Sequence, residues 1–289
     1  MPFTGLITAL ATPFNKDGSV DYTRFEALIE EQIEAKVDGV VPVGTSGESP
    51  TLSMYEHGKV IEFVTEKVNH RAKVIAGTGA NSTSEAIHLT KEAIAMGVDG
   101  TLQVCPYYNK PNQEGLYKHF MAVADLGLPV VLYNVPGRSG KEIAIDTIVR
   151  LADHPKVVAV KEAAGSVTRV SAILDLCDIT VLSGDDMLAV PMISVGAKGV
   201  ISVASNVMPK EVGEMTHAAM DGDYARATAI HKRLYRLFRD LFIDTNPIPV
   251  KAALAMMGKI EEVYRLPLCE MSDSDKAKLR KTLQELSLV

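Results

Sequence analysis

Residues 157–160 read Val157-Val158-Ala159-Val160, are followed directly by Lys161 and Glu162, and give the clearest sign of the fold of this 289-residue chain. A short run of β-branched and small apolar residues is typical of a strand buried on both faces, as in a parallel sheet. Seven other such runs occur, about 28 residues apart on average, which is enough for one strand, one helix and two loops per unit. The eight predicted strands cover residues 5–9, 39–43, 73–77, 100–104, 129–133, 157–160, 180–183 and 199–203.

The segments between these runs carry helix signals. In the first of them, four apolar residues and one glutamine recur at helical spacing, and Asp21 is placed to cap the helix. Ser53 with Glu56, and Ser82 with Glu85, have the spacing of a capping box, in which a hydroxyl and a carboxylate satisfy free N–H groups. These signals predict helices that alternate with the strands.

Eight strand and helix units without a dinucleotide-binding fingerprint favour a closed barrel over an open doubly wound sheet. Beyond residue 203 the strand pattern stops, and residues 209–220, 223–242, 249–257 and 273–286 have helical patterns. We therefore expect an α/β protein in which a (β/α)8 TIM barrel is followed by a C-terminal helical extension. The catalytic barrel is predicted to cover residues 1–222, and the extension residues 223–289.

Composition excludes several classes of protein. The chain is 47% hydrophobic and 23% charged, and no run approaches the ~20 apolar residues of a membrane span. The net charge is −6 and the basic residues are dispersed, so we expect neither nucleic acid nor membrane as a partner. Three scattered cysteines indicate a reducing cytoplasm, and no histidine or cysteine motif predicts a metal or another cofactor.

Lys161 is the residue whose position is most informative, because the active site of a barrel of this kind lies at the carboxyl ends of its strands. A lysine amine freed of its proton by burial can form a Schiff base with a carbonyl group. The alternative is a lysine that extends to pair with a carboxylate such as Glu162. Tyr133 ends the neighbouring predicted strand, where its phenol could transfer protons or simply fill the barrel.

Three further features lie at predicted strand ends. Residues 44–48, Gly-Thr-Ser-Gly-Glu, form a turn whose N–H and hydroxyl groups suit a carboxylate or phosphate, although an ordinary loop is the alternative. Arg138 lies in a loop held by proline and glycine, where it could clamp a carboxylate or stay in solvent. Asp185 and Asp186 favour helix capping over metal binding, since no histidine or further acid is nearby in the sequence.

Taken together and in this order, the motifs closely resemble the dihydrodipicolinate synthase family, within the pyruvate-dependent class I aldolase superfamily. The resemblance runs nearly from end to end of the chain. It is carried by Gly44-Thr45-Ser46-Gly47-Glu48, Ala76-Gly77-Thr78-Gly79-Ala80-Asn81, Pro106-Tyr107-Tyr108-Asn109-Lys110-Pro111, Gln113-Glu114-Gly115-Leu116-Tyr117, Tyr133-Asn134-Val135-Pro136-Gly137-Arg138, Val160-Lys161-Glu162-Ala163, Leu182-Ser183-Gly184-Asp185-Asp186, Gly199-Val200-Ile201-Ser202-Val203 and Asn246-Pro247-Ile248-Pro249-Val250-Lys251.

The resemblance implies a reaction that joins pyruvate to L-aspartate 4-semialdehyde through a Schiff base on a lysine. The product would be 4-hydroxy-2,3,4,5-tetrahydrodipicolinate, which begins the route to diaminopimelate and lysine. The residues that match the family's catalytic positions are Lys161, Tyr133, Thr45 and Tyr108, and those that match its substrate-binding positions are Thr45, Ser46, Arg138 and Ile201. Many members have threonine where this chain has Ser46, but serine keeps the hydroxyl and the N–H.

The resemblance also implies a homotetramer or a homodimer, in which Tyr108 reaches the adjoining subunit's site. It implies an L-lysine effector at a dimer interface, at positions matched here by Ser49, His57, Asn81, Glu85 and Tyr107. Against that effector site, Met54 occupies a position where lysine-sensitive members often have histidine. The alternative interpretation is that these polar residues satisfy one another and bind nothing.

Two other functions are compatible with part of the pattern. Another pyruvate aldolase, such as N-acetylneuraminate lyase, shares the lysine, the tyrosine and the glycine-rich turn, but generally differs in the loop that contains Arg138 here. A barrel without activity that binds a carboxylate metabolite would not need lysine, tyrosines and arginine together. We therefore expect a Schiff-base-forming lyase of the dihydrodipicolinate synthase type.

Overall fold

Eight parallel strands close into a barrel in the computed structural model, which describes residues 3–289. Each strand bonds to the next along the chain, and β8 bonds to β1. The strands are β1 Gly5–Ala9, β2 Gly39–Val41, β3 Lys73–Gly77, β4 Gly100–Val104, β5 Val130–Asn134, β6 Val157–Glu162, β7 Thr180–Ser183 and β8 Gly199–Ser202. The predicted (β/α)8 barrel is confirmed, and each observed strand overlaps its predicted run.

Helices follow the strands and continue beyond the last one. They are α1 Tyr22–Glu34, α2 Met54–Val68, α3 Thr83–Ala95, α4 Gln113–Ala124, α5 Pro136–Ser139, α6 Ile145–Ala152, α7 Val167–Leu174, α8 Ala189–Ser194, α9 Pro209–Met220, α10 Tyr224–Asp240, α11 Ile248–Met256 and α12 Asp273–Glu285. The last three helices are the C-terminal extension. Its treatment as a unit separate from the barrel stays a prediction.

Two of the three predicted helix starts are correct. Asp21 accepts a hydrogen bond from the Arg24 N–H at the start of α1. Ser53 and Glu56 form the reciprocal pair of a capping box on α2. The box predicted for Ser82 and Glu85 is wrong, because the Ser82 hydroxyl lies 2.9 Å from the Ser84 hydroxyl and bonds no backbone N–H at the start of α3.

Apolar side chains pack in two layers, one outside and one inside the ring of strands. The outer layer packs the strands against the helices, and the inner layer fills the barrel with residues such as Ile7, Ile75, Leu102 and Leu182. Side chains along each strand belong alternately to the outer and the inner layer, because successive side chains of a strand point to opposite faces. The filled interior leaves the carboxyl end of the barrel as the place for a site.

None of the helices in residues 3–289 is long and apolar enough to cross a membrane. Within the same residues, no group of three or more histidine, cysteine, aspartate or glutamate side chains is arranged to hold a metal ion. Cys105, Cys177 and Cys269 are free thiols.

Candidate active site

Lys161 lies inside β6 rather than beyond its end, since the strand continues through Glu162. It pairs in register with Tyr133 on β5, and its side chain is buried at 6% exposure. The Lys161 ammonium nitrogen lies 4.2 Å from the centroid of the Tyr133 ring. The barrel thus brings the two side chains together at its mouth.

Glu162 is not the partner of Lys161. Its carboxylate is fully buried on the other face of β6, where it accepts hydrogen bonds of 2.9 Å from Asn134 Nδ2, the Ala164 N–H and Arg169 Nε. Adjacent residues of a strand point to opposite faces, so Lys161 cannot reach it. No carboxylate in residues 3–289 forms an ion pair with Lys161, and the interpretation of Lys161 as one half of a surface ion pair therefore fails.

Two adjoining cavities of about 150 and 200 Å³ open at the carboxyl end of the barrel. The smaller cavity is lined by Lys161, Ser46, Asp185 and Asn246, and the larger one by Ser49 and Tyr107. Both share a wall made of Gly44, Thr45, Leu102, Tyr133 and Arg138. The cleft has room for two small substrates beside one another.

The 44–48 turn presents free donors to this cleft. The N–H groups of Thr45 and Ser46 donate to no acceptor within the described part of the chain. Ser46 is buried, and its hydroxyl oxygen accepts a hydrogen bond of 3.1 Å from Asn246 Nδ2, so that its own hydrogen is free to donate. The Gly47 carbonyl is held by the Thr12 hydroxyl at 2.8 Å. Free N–H and hydroxyl donors in one turn suit a carboxylate.

Arg138 reaches the cleft from the short helix α5. One of its guanidinium nitrogens donates to the Asn246 backbone carbonyl at 2.7 Å, and its side chain lines both cavities. A guanidinium group has five N–H donors, so one bond to the protein leaves a fork for a carboxylate. Asn246 therefore contacts both Arg138 and Ser46, which the sequence alone did not reveal.

Asp185 and Asp186 hold the loops that follow β7 and β8. Asp186 is buried and accepts hydrogen bonds from the Ser202 hydroxyl and from the N–H groups of Val203 and Ala204. Asp185 accepts one from the Met187 N–H at 2.8 Å. Burial raises the pKa of both carboxyl groups, and hydrogen bonds oppose that rise. The helix capping predicted for these two residues is wrong, because α8 begins after Leu188 and no side chain caps it.

Two of the predicted site residues lie outside the cleft of a single chain. Ile201, on β8, is fully buried in the interior of the barrel. Tyr108 is 90% exposed and has a left-handed backbone with φ 72°. An aromatic side chain this exposed is available to another molecule and not to its own cleft.

The residues that match the effector positions are divided between the cleft and the adjacent helices. Ser49 and Tyr107 line the larger cavity, and the pKa of Tyr107 is raised by burial and then by the nearby Glu85 carboxylate. His57 Nε2 lies 3.0 Å from the Gly77 carbonyl, and burial lowers the pKa of His57. The Asn81 backbone carbonyl accepts a hydrogen bond from Asn109 Nδ2 at 2.8 Å. Tyr107 and Glu85 are thus neighbours at the edge of the cleft.

Comparison with known proteins gives concordant results. The model of the dihydrodipicolinate synthetase family matches residues 2–286. A 4-hydroxy-tetrahydrodipicolinate synthase from Thermodesulfovibrio yellowstonii is 51% identical over 290 residues, which is 99% of each chain. The crystal structure of dihydrodipicolinate synthase from Aquifex aeolicus superimposes with a TM-score of 0.97 at 50% identity over 99% of each chain.

Two similar structures contain small molecules. The enzyme from Acinetobacter baumannii, in complex with pyruvate, has a TM-score of 0.98 at 45% identity over 99% of this chain and 100% of that one. The enzyme from Cyanidioschyzon merolae, with lysine bound, has a TM-score of 0.96 at 41% identity over 99% of each chain.

Proposed function

Because the chain belongs to the dihydrodipicolinate synthetase family, we propose that Lys161 is the residue through which it condenses pyruvate with L-aspartate 4-semialdehyde. The observation that carries this assignment is the burial of Lys161 in the cleft, against the ring of Tyr133 and without a carboxylate partner. A lysine kept from ion pairing at a barrel mouth is suited to act as a nucleophile. The chain is accordingly a Schiff-base-forming lyase.

The reaction begins when the Lys161 amine adds to the ketone carbon of pyruvate and water leaves to give an imine. Loss of a proton from the methyl group converts the imine into an enamine. The enamine carbon attacks the aldehyde carbon of the semialdehyde and forms the new carbon–carbon bond. The substrate's own amine then attacks the imine carbon and closes the ring, and the adduct expels the Lys161 amine to give 4-hydroxy-2,3,4,5-tetrahydrodipicolinate with the lysine regenerated.

The pyruvate carboxylate would be received by Thr45 and Ser46. Both residues line the cavity that Lys161 lines, and their N–H groups and the hydrogen of the Ser46 hydroxyl have no acceptor within residues 3–289. Binding of the carboxylate there would direct the ketone carbon toward the amine. The pyruvate complex of the Acinetobacter baumannii enzyme supports pyruvate as the first substrate.

Arg138 would bind the carboxylate of the semialdehyde. It lines the part of the cleft that the two cavities share, and its contact with the Asn246 carbonyl fixes one side of the guanidinium group. Charge-assisted bonds from a fixed guanidinium are strong and directional. This assignment distinguishes an amino acid aldehyde from the polyol substrate of a sugar-acid lyase, which the comparisons do not favour.

Proton transfer would pass through Tyr133 and Thr45, with Tyr108 supplied by a second subunit. Tyr133 and Thr45 line both cavities, whereas Tyr108 is exposed on its own chain. A hydroxyl that belongs to this relay must be buried during catalysis, so an adjoining chain is needed to cover it. This requirement supports a homodimer or a homotetramer.

L-Lysine would bind at the edge of the cleft near Glu85 and Tyr107. The Glu85 carboxylate offers an ammonium group a charged partner, and Ser49 and Tyr107 add hydroxyl groups. The lysine-bound enzyme from Cyanidioschyzon merolae supports an effector of this kind. His57 and Asn81 complete the proposed effector set.

Trapping the imine tests the assignment of Lys161. Reduction with borohydride in the presence of pyruvate should add one pyruvate-derived mass to the peptide that contains Lys161, as measured by mass spectrometry. Lys161→Ala should abolish both the label and the turnover of semialdehyde, while Lys198→Ala, on the loop before β8, should be labelled like the native protein. Label that persists at full yield in Lys161→Ala would contradict the assignment.

A further inference from the structure

A buried ion pair ties the 44–48 turn to the C-terminal extension. Glu48 ends the turn, and Lys251 lies in α11; both side chains are fully buried, and the Lys251 ammonium donates to Glu48 Oε1. The other carboxylate oxygen accepts a hydrogen bond of 3.2 Å from the Arg265 N–H. Two segments that are 203 residues apart in the chain are joined at the turn that faces Lys161.

The surroundings of Lys251 keep its ammonium group in this one position. Its nitrogen lies 4.1 Å from the centroid of the Phe14 ring and 5.3 Å from that of Tyr264. Aromatic faces attract a cation, and these rings also exclude water. A buried charge is costly unless it is paired, so Lys251 and Glu48 must meet whenever this region is folded.

Glu48 needs such an anchor because its backbone is left-handed, with φ 53°. A residue with a side chain rarely adopts that conformation. The hydrogen bonds from Lys251 and Arg265 hold its carboxylate, and the preceding N–H groups of Thr45 and Ser46 remain free of protein acceptors within residues 3–289. Glu48 thus anchors the end of a turn that Thr12 also holds at Gly47 and Asn246 at Ser46.

We propose that Lys251 is a positioning residue for pyruvate. Through its ion pair with Glu48 it holds the 44–48 turn in the conformation that receives the pyruvate carboxylate. It also neutralises the Glu48 carboxylate, which would otherwise repel the pyruvate anion. The extension therefore takes part in building the active site. The inference rests on the proposed function, since it requires that the turn bind pyruvate.

The test compares three variants of the full-length protein by borohydride trapping and by steady-state turnover, both at increasing pyruvate concentration. Lys251→Met removes the ammonium group and leaves Glu48 unpaired. Lys251→Met combined with Glu48→Gln removes both charges, which restores stability in many buried pairs. Lys259→Met is the matched control, because it breaks the pair between Lys259 of the extension and Glu31 of α1, and neither residue lines the two cavities. Thermal unfolding of each variant is measured in parallel.

We expect the half-saturating pyruvate concentration to rise about tenfold or more in Lys251→Met, with kcat at saturating pyruvate within about threefold of native. In the double variant the half-saturating concentration should stay raised although stability returns, and Lys259→Met should match the native protein. A double variant that regains native pyruvate binding overturns the proposal. This comparison tests the proposal even where Lys251→Met alone fails to fold. Absence of label on Lys161 in the native protein would instead overturn the proposed function.

Discussion

The Arg138 side chain is anchored to the protein at one nitrogen and keeps other donors free for a substrate. Its bond to the Asn246 carbonyl uses one guanidinium nitrogen, and the rest of the fork faces the cleft. Asn246 in turn donates to Ser46, so the two proposed carboxylate sites are connected through a single asparagine. The proposed sites for pyruvate and the semialdehyde are therefore adjacent but separately testable.

Arg138→Ala should weaken binding of the semialdehyde and not of pyruvate. Loss of a charged hydrogen-bonded contact of about 1.5 to 3 kcal/mol corresponds to a rise in the semialdehyde KM of about 10- to 150-fold. Steady-state kinetics measures this rise, and borohydride trapping measures pyruvate binding. Arg138→Lys is the matched variant, which keeps the charge but loses the fork and should recover only part of the affinity. An equal loss of pyruvate trapping would show that Arg138 acts on the first substrate.

Helices α3 and α4 are joined by a buried histidine. His119 Nδ1 lies 2.9 Å from the Thr83 hydroxyl, and the ring of His119 packs edge-on against Phe120. Burial lowers the pKa of His119 to about 4, from an ordinary value of 6.5. In the folded protein this side chain therefore stays neutral at a pH where the unfolded chain is protonated.

The pairing of α3 with α4 should consequently weaken in acid. As the pH falls from 6.5 toward 4, the unfolded state binds a proton that the folded state does not, so stability is lost across that window. Between pH 7.5 and pH 5 the free energy of unfolding should fall by about 2 kcal/mol more in the native protein than in His119→Gln, which keeps an acceptor for Thr83. Urea unfolding at the two pH values measures the difference. Equal losses in the two proteins would mean that His119 is protonated in the fold.

A single chain is insufficient for the proposed relay and effector site. Tyr108 is 90% exposed, and Tyr107 is 37% exposed at the edge of the cleft. Residues this exposed gain defined contacts only when another chain covers them. The proposed second subunit would therefore complete the relay and the effector site together.

L-Lysine should inhibit partially, and Glu85→Ala should remove that inhibition. The Glu85 carboxylate is the proposed partner of the effector's ammonium group, while Met54 offers no strong donor at the neighbouring position. Without that hydrogen bond of about 0.5 to 1.5 kcal/mol, lysine binding is expected to be 2- to 13-fold weaker than with histidine there. Initial rates at saturating pyruvate with millimolar L-lysine measure the effect. Glu34→Ala, at the far end of α1, is the charge-matched control, and an unchanged native rate at tens of millimolar lysine would rule out the effector site.

Local sequence patterns were enough to predict the eight barrel strands in chain order, the four last helices and the place of Lys161 close to Tyr133. These features depend on local patterns, because apolar runs and helical spacing are set within a few residues of each other. The wrong prediction of a capping box at Ser82 shows the limit of such patterns, since the Ser82 hydroxyl pairs with the Ser84 hydroxyl instead of a backbone N–H of α3. The spacing of a capping box does not exclude a competing contact.

The contacts around the 44–48 turn form only when distant parts of the chain come together in the fold. Lys251 and Asn246 belong to a motif of the resemblance, yet nothing local to them indicates that they meet Glu48 and Ser46 some 200 residues earlier. The extension has to fold back over the barrel mouth before these side chains approach, and burial then makes their pairing obligatory. Contacts between distant segments are set by the packing of whole elements, which the composition of either segment alone does not specify.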